Sequence, residues 1–160
     1  MVRDVVRELG YLTLGSRLKR IGERLQGQAQ ALLEEAGISL SASCFPLLVA
    51  LDRLGPLSVG ELAEAVGVSQ PGVTRVLDRL ESEGLVKSKA PGRDRRVRPI
   101  ALTPAGRQLI GRVKRVAWPR IEAAVADACA GAAGPLLTQL AVLEDALAAS
   151  PLRRRAARVA

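Results

Sequence analysis

Apolar residues recur along residues 5–36 as Leu9, Leu12, Leu18, Ile21, Leu25 and Leu32, mostly at spacings of three, four and seven. The pattern predicts one long amphipathic helix, with Gly37 placed to end it. A second helix is predicted from Ser41 through Phe45, Leu47, Leu48 and Leu51 to Leu54, with Pro46 in its early turns as a source of bending. Gly55-Pro56 stops it. Ser58 is followed three residues later by Glu61, a capping-box spacing, so a short helix is expected over Val59–Val66, ended by Gly67. Ser69 then stands as N-cap with Pro71 in the first turn of a helix running to about Glu83 and Gly84.

The period changes after Gly84. Leu85–Lys89 alternates like a strand, Pro91-Gly92 predicts a turn, and Val97–Leu102 returns as a second strand. Thr103-Pro104 opens a long helix carrying Leu109, Ile110, Val113, Val116, Ile121, Ala124, Val125 and Ala128, with a kink expected at Pro119. Gly131–Gly134 breaks the pattern before a last Leu/Ala-rich helix over Pro135–Ala149. The tail after Pro151 has four arginines and no acid, and is expected to be disordered. The order is helix, helix, helix-turn-helix, β-hairpin, helix, helix. The fold class is therefore mainly α with a small β-hairpin wing (α+β).

Charge sharpens this picture. The 160 residues carry a formal net charge of +8, but the halves differ. Residues 1–86 hold nine basic and eleven acidic side chains, whereas residues 87–160 hold fifteen basic and five acidic. Such asymmetry points to an anionic partner facing one part of the molecule. Lys87–Arg98 alone contains six basic residues against the single acid Asp94. Taken alone that run reads as a solvated loop; directly after a helix-turn-helix it reads as a wing.

Composition removes other functions. There is no histidine, which removes His-based acid–base catalysis and most zinc sites. Cys44 and Cys129 lie far apart with no CxxC spacing, so no metal site, cofactor or disulfide framework is expected. Aromatics are Tyr11, Phe45 and Trp118 only, too few for a base-stacking platform on single strands. No nucleophile–base pair is visible, and an enzyme is not expected. Charged residues near the start and the absence of a long apolar run predict a cytoplasmic protein without a membrane partner.

The main signal lies in Val59–Leu80. A helix-turn-helix needs a small residue where its helices meet, a turn residue tolerant of positive φ, and apolar packing positions. Ala63, Gly67 and Val73 meet these demands, with Leu62, Val66, Val68, Val76, Leu77 and Leu80 as the apolar contacts. The outward face of the second helix then displays Gln70, Gly72, Thr74, Arg75, Asp78 and Arg79, of which Gln70, Thr74 and Arg75 suit base edges and phosphates and Gly72 lets the backbone approach a duplex closely. An ordinary surface helix facing water would explain Asp78, Glu81 and Glu83 equally well. It does not explain the glycine, the turn spacing and the arginine-rich hairpin together. The tip Pro91–Arg96 suits insertion of an arginine into a minor groove, with Asp94 holding a guanidinium in place.

Leu57–Ser69, Val73–Leu80, Glu83-Gly-Leu-Val86 and Asp94-Arg95-Arg96 followed by Leu102-Thr103-Pro104-Ala105-Gly106 resemble the MarR family of winged-helix transcriptional regulators. The resemblance extends over residues 5–150 in element order. It implies a homodimer formed by interleaved terminal helices, each winged helix reading half of a palindromic double-stranded DNA operator. It divides the chain into an N-terminal dimerisation arm (1–40), a winged helix-turn-helix (41–103), C-terminal dimerisation helices (104–150) and the basic tail (151–160). By resemblance Ser69, Gln70, Pro71, Gly72, Thr74, Arg75 and Arg79 form the recognition helix. Arg93, Asp94, Arg95 and Arg96 form the wing, with Arg96 in the minor groove and Asp94 orienting it. Family members usually repress genes and release DNA on binding a small aromatic or phenolic ligand. Tyr11, Cys44, Phe45, Leu48 and Trp118 are candidates to line such a ligand pocket, although core or dimer packing accounts for them more simply. Cys44 as a redox sensor stands beside the same plain packing alternative.

Overall fold

The computed structural model describes residues 2–88 and 99–156, which fall into two units, 1–121 and 122–160. In the first, the expected long N-terminal helix is interrupted. Helix α1 (Val5–Glu8) gives way to a 3₁₀ turn over Gly10–Thr13, and α2 (Leu14–Glu35) follows. Gly10 takes φ +57°, a left-handed conformation that no helix accommodates, so the chain turns there despite continuous apolar spacing. Asp4 caps α1 by accepting the Arg7 N–H and takes both Arg20 guanidinium nitrogens at 2.9 and 3.0 Å. The Arg20 hydrogen bond, aided by the Arg7 backbone, holds the Asp4 carboxyl below its ordinary value.

Helix α3 (Phe45–Leu54) is preceded by a 3₁₀ turn at Ala42–Cys44, so Pro46 falls in its first turn and bends nothing. Its missing N–H has no partner to lose there. Helices α4 (Val59–Val66) and α5 (Gln70–Ser82) follow with the predicted bounds. Strands β1 (Val86–Ser88) and β2 (Ile100–Leu102) pair antiparallel, Val86 opposite Leu102. Leu57 adds a two-bond bridge to Ile100 that the sequence reading did not anticipate. The expected long helix after Thr103 is two helices, α6 (Pro104–Val116) and α7 (Trp118–Cys129), broken at fully buried Ala117 just before Pro119.

One core joins these elements. Leu33, Ile38 and Leu40 bury against Leu48, Leu51, Leu62, Val73, Leu77, Leu80, Ile100, Leu102, Ile110 and Val113, and every buried side chain among the described residues is apolar or cysteine. The anchor of α2 is thus Leu33, while the anticipated stripe Leu9, Leu12, Leu18, Ile21 and Leu25 is exposed. Ile110 and Val113 place α6 in the winged-helix core, across the 103/104 boundary drawn from sequence.

The second unit is built differently. Helix α8 (Leu136–Ala149) and helix α9 (Leu152–Ala156) bury no described residue, and Leu137, Val142 and Leu152 are 83%, 63% and 69% exposed. Helix α9 stands where the sequence reading expects a disordered tail. The Pro151 carbonyl accepts the Arg154 and Arg155 amides, and the Arg155 guanidinium donates to the Ser150 and Ala146 carbonyls. A cation there adds to the Ala146 carbonyl, which already accepts the Ser150 N–H, and sits at the negative end of the α8 dipole.

Candidate nucleic-acid interface

The turn between α4 and α5 follows from local chemistry. The Ser58 hydroxyl accepts the Glu61 N–H at 3.2 Å, and the Glu61 carboxylate accepts the Ser58 N–H at 2.7 Å. The Ser58 N–H, joined by the Ser58 hydroxyl donating to the same carboxylate at 2.7 Å, holds the Glu61 carboxyl below its ordinary value. Gly67 ends α4 at φ +67°, and its N–H returns to the Glu64 and Ala63 carbonyls. Ala63 and Val73 are buried where the helices meet, but Val68 is 48% exposed and is not a packing contact. It sits in the turn, beyond the reach of the helix-helix seam.

With Val73, Leu77 and Leu80 sealed inward, α5 turns Gln70, Pro71, Thr74, Arg75, Asp78 and Arg79 to solvent, with Gly72 half-buried and Ser69 exposed at its start. Ser69, Gln70 and Pro71 thus stand at the start of α5, while Arg79 lies in its last turn. Ser69 has the extended backbone of an N-cap, yet its hydroxyl makes no capping bond. The amides of the first turn and that hydroxyl face outward at the positive end of the helix dipole, an arrangement that attracts an anion. The Thr74 hydroxyl donates to the Gln70 carbonyl at 3.0 Å. Arg79 donates from Nε to Glu83 at 2.9 Å, which raises its affinity for the proton further, so its charge is partly spoken for. No acid lies within 4.0 Å of Arg75 among the described residues, and its guanidinium is the more available of the two. Arg93, Asp94, Arg95 and Arg96 lie outside the described residues, as does the turn at Pro91-Gly92.

A cavity of about 660 Å³ opens between α2, α3, α4 and the start of α7. Phe45 and Trp118 line it with Leu33, Val49, Ala50 and Ile121, and among the described residues Arg53 is the one charged side chain in its wall. Three residues expected there are elsewhere. Tyr11 is 94% exposed on the 3₁₀ turn created by Gly10, and Cys44 and Leu48 face the closed core on the other side of α3. Arg53 was readable: Pro46, Val49, Ala50 and Arg53 fall at i, i+3, i+4 and i+7 of one helix face. Burial pushes the Cys44 thiol up, so the thiolate that oxidation requires is disfavoured, and packing explains this residue. Cys44 and Cys129 are both free. No group of three or more potential metal ligands occurs among the described residues, and none of their helices is long and apolar enough to cross a membrane.

A MarR-family sequence model matches residues 36–97, which include α3, α4, α5 and β1. A MarR-family transcriptional regulator from Silicibacter pomeroyi is 28% identical, with 91% of this chain and 95% of that chain covered and a TM-score of 0.60. The Mycobacterium tuberculosis transcriptional regulator MosR, solved in complex with DNA, is 25% identical over 84% of this chain and 93% of its own, with a TM-score of 0.66. A mutant of Escherichia coli MarR complexed with operator DNA shares the fold at 20% identity, covering 91% and 99% of the two chains with a TM-score of 0.73. The helix-turn-helix seam, the paired wing base and these matches agree: residues 36–97 match the MarR family model, and the chain is similar in fold to solved MarR-family transcriptional regulators.

Proposed function

We propose that this protein is a homodimeric, sequence-specific DNA-binding repressor that a small aromatic or phenolic ligand releases from a palindromic operator. The observation that carries the DNA-reading role is the exposed face of α5, where Gln70, Thr74 and Arg75 stand beside the outward first-turn amides. MosR, at 25% identity, is a regulator of this fold in complex with DNA. Ser69, Gln70, Pro71, Gly72, Thr74, Arg75 and Arg79 are assigned to the major groove and its flanking phosphates, and Arg93, Asp94, Arg95 and Arg96 to the minor groove. The wing must supply much of the positive charge, because Ser58–Glu83 is itself net acidic.

Dimerisation is supported by the unsealed apolar residues of α2 and α8. Leu18, Ile21 and Leu25 on α2, and Leu137, Val142 and Leu147 on α8, are all more than a third exposed. Contiguous apolar surface of this kind seeks a partner. Ligand release is supported by the cavity beside α3: apolar walls suit an aromatic ring, and Arg53 suits a carboxylate or phenolate.

Titration of the purified protein against its own upstream DNA and a random duplex, at two salt concentrations, tests the reading. Sequence-preferring binding as a dimer is expected. Weak, unselective binding abolished by modest salt overturns it in favour of a winged-helix module that docks on protein, the reading that the acidic α4–α5 unit favours. For the ligand, benzoate and phenol serve as probes. Each is expected to quench the fluorescence of Trp118, the single tryptophan, and to weaken operator binding. No quenching by either would remove the cavity from the mechanism.

A further inference from the structure

The segment Leu102–Gly106 makes contacts that reading DNA or closing a dimer does not call for. Thr103 is the N-cap of α6, its hydroxyl accepting the Gly106 N–H at 3.1 Å. The same hydroxyl points back to the end of α5, 2.7 Å from the Gly84 carbonyl oxygen and 3.2 Å from that of Leu85. The Thr103 N–H donates to the Leu85 carbonyl at 3.0 Å. Gly84 and Leu85 are themselves tied to α5, their amides donating to Glu81 and Leu80 at 2.9 Å each. One hydroxyl thus bridges the last turn of α5 and the first turn of α6.

Nothing larger than hydrogen fits between them. A Cβ on Gly106 would lie 2.1 Å from the Leu85 oxygen and 3.1 Å from its carbonyl carbon, contacts only backbone movement relieves. Helix and turn are in backbone contact, with the hairpin leaving from the same point, since Val86 pairs with Leu102 one residue on. Both candidate reading elements, α5 and the wing, therefore depart from this joint. Helix α5 has 13 residues and is about 20 Å long, so a tilt of about 5° at its latched end moves its first turn by roughly 2 Å. Base-edge hydrogen bonds tolerate far less than that.

We propose that Thr103, with Gly106, is a positioning residue for DNA recognition: it latches the end of α5 and the wing base to α6 and so sets the angle at which α5 meets DNA, without touching DNA itself. The proposal rests on the DNA-reading function above. Removing the hydroxyl while keeping the shape (Thr103→Val) frees the Gly84 carbonyl and the Gly106 amide; restoring it (Thr103→Ser) remakes both bonds. A merely structural hydroxyl would change the fraction of folded protein and lower binding to operator and random duplex equally. A positioning hydroxyl lowers their ratio.

The experiment measures affinity of the full chain for its operator and for random duplex, well below the unfolding temperature, in parent, Thr103→Val and Thr103→Ser. Amide hydrogen exchange is followed without DNA. The Val variant is expected to lose about tenfold in the operator-to-random ratio, the size of one hydrogen bond left unmade. Its Gly106 amide and the amides of Leu80–Leu85 should exchange faster, and the Ser variant should return both readouts to parental values. An unchanged ratio in Thr103→Val, or a loss equal on both duplexes, overturns the positioning role while leaving the DNA-reading function standing. A parent protein with no operator preference defeats that function itself, and the positioning role with it.

Discussion

The winged helix and the C-terminal helices solve the same physical problem in opposite ways. In residues 36–121 the apolar positions of α3, α4, α5 and α6 close on one another, leaving Leu48, Leu62, Leu80 and Val113 with no accessible surface. In residues 122–156, α8 is as rich in leucine yet seals none of it. Apolar spacing alone does not distinguish a helix that packs within its own chain from one whose apolar side chains stay exposed. The former alternates sealed and charged faces, as α5 does with Leu77 inward and Asp78 and Arg79 outward. The latter has few charges on any face: over 14 residues α8 carries only Glu144 and Asp145. The difference teaches where stability should depend on concentration.

That contrast breaks most sharply at one buried leucine. Leu48→Ala should cost about 2–5 kcal/mol of unfolding free energy, seen as a lowered thermal midpoint in the winged helix. The cost should be the same at every protein concentration, because Leu48 seals a core within one chain. Leu137→Glu should behave the other way. Leu137 is 83% exposed, so a carboxylate there costs a lone chain almost nothing. Across a dimer interface it is a desolvated charge, and sedimentation should show dissociation at roughly tenfold or higher concentrations than for the parent. A monodisperse dimer unchanged by Leu137→Glu would place the interface elsewhere.

The next contrast lies within the elements proposed to read DNA. Arg75→Ala should cost about 1–3 kcal/mol on operator DNA if its guanidinium reads a base edge, and relax preference at one half-site position. Arg96→Ala should weaken operator and random duplex alike and lower the salt slope by roughly 1. Equal losses on both duplexes for Arg75→Ala would demote it to a phosphate contact. Arg79→Ala should have the smaller effect of the two α5 arginines, because Glu83 already holds that guanidinium.

Much of this was legible in the residues. Caps and breakers act locally, so Ser58 with Glu61, Gly67, Gly84 and Thr103-Pro104 gave element bounds within a residue or two. The glycine expected in the helix-turn-helix turn, Gly67, takes the positive φ that the turn requires, whereas most of the charge run at 87–98 lies outside the described residues. Three features were not legible, each for a non-local reason. Gly10 looked like any glycine on an apolar helical face; its positive φ depends on Thr13 folding back to the Val6 carbonyl at 2.6 Å. The bridge between Leu57 and Ile100 joins residues 43 positions apart, with no pattern at either end to announce it. The cavity beside α3 is lined by Phe45 and Trp118 but not by Cys44 and Leu48, which pack in the core as the simpler alternative expects, because they do not share the helix face of Val49 and Arg53.

The smallest effect sharpens the local end of the comparison. The Ser58–Glu61 capping box is solvent-exposed and needs no tertiary partner. Ser58→Ala should cost about 1 kcal/mol. Glu61 adds a pH signature. Its folded carboxyl titrates below the ordinary value of 4.5, because the Ser58 backbone and hydroxyl donate to the ionised form. A depressed carboxyl favours the folded state once the unfolded chain is ionised, and that contribution disappears as the folded group takes up its proton. The stability gap between parent and Glu61→Gln should therefore be full at neutral pH, begin to close as pH falls to about 4.5, and vanish below the folded value. Thermal unfolding of the pair from pH 7 to pH 3 reads it. A gap constant across that range would mean that Glu61 acts through its packing or shape rather than through its charge.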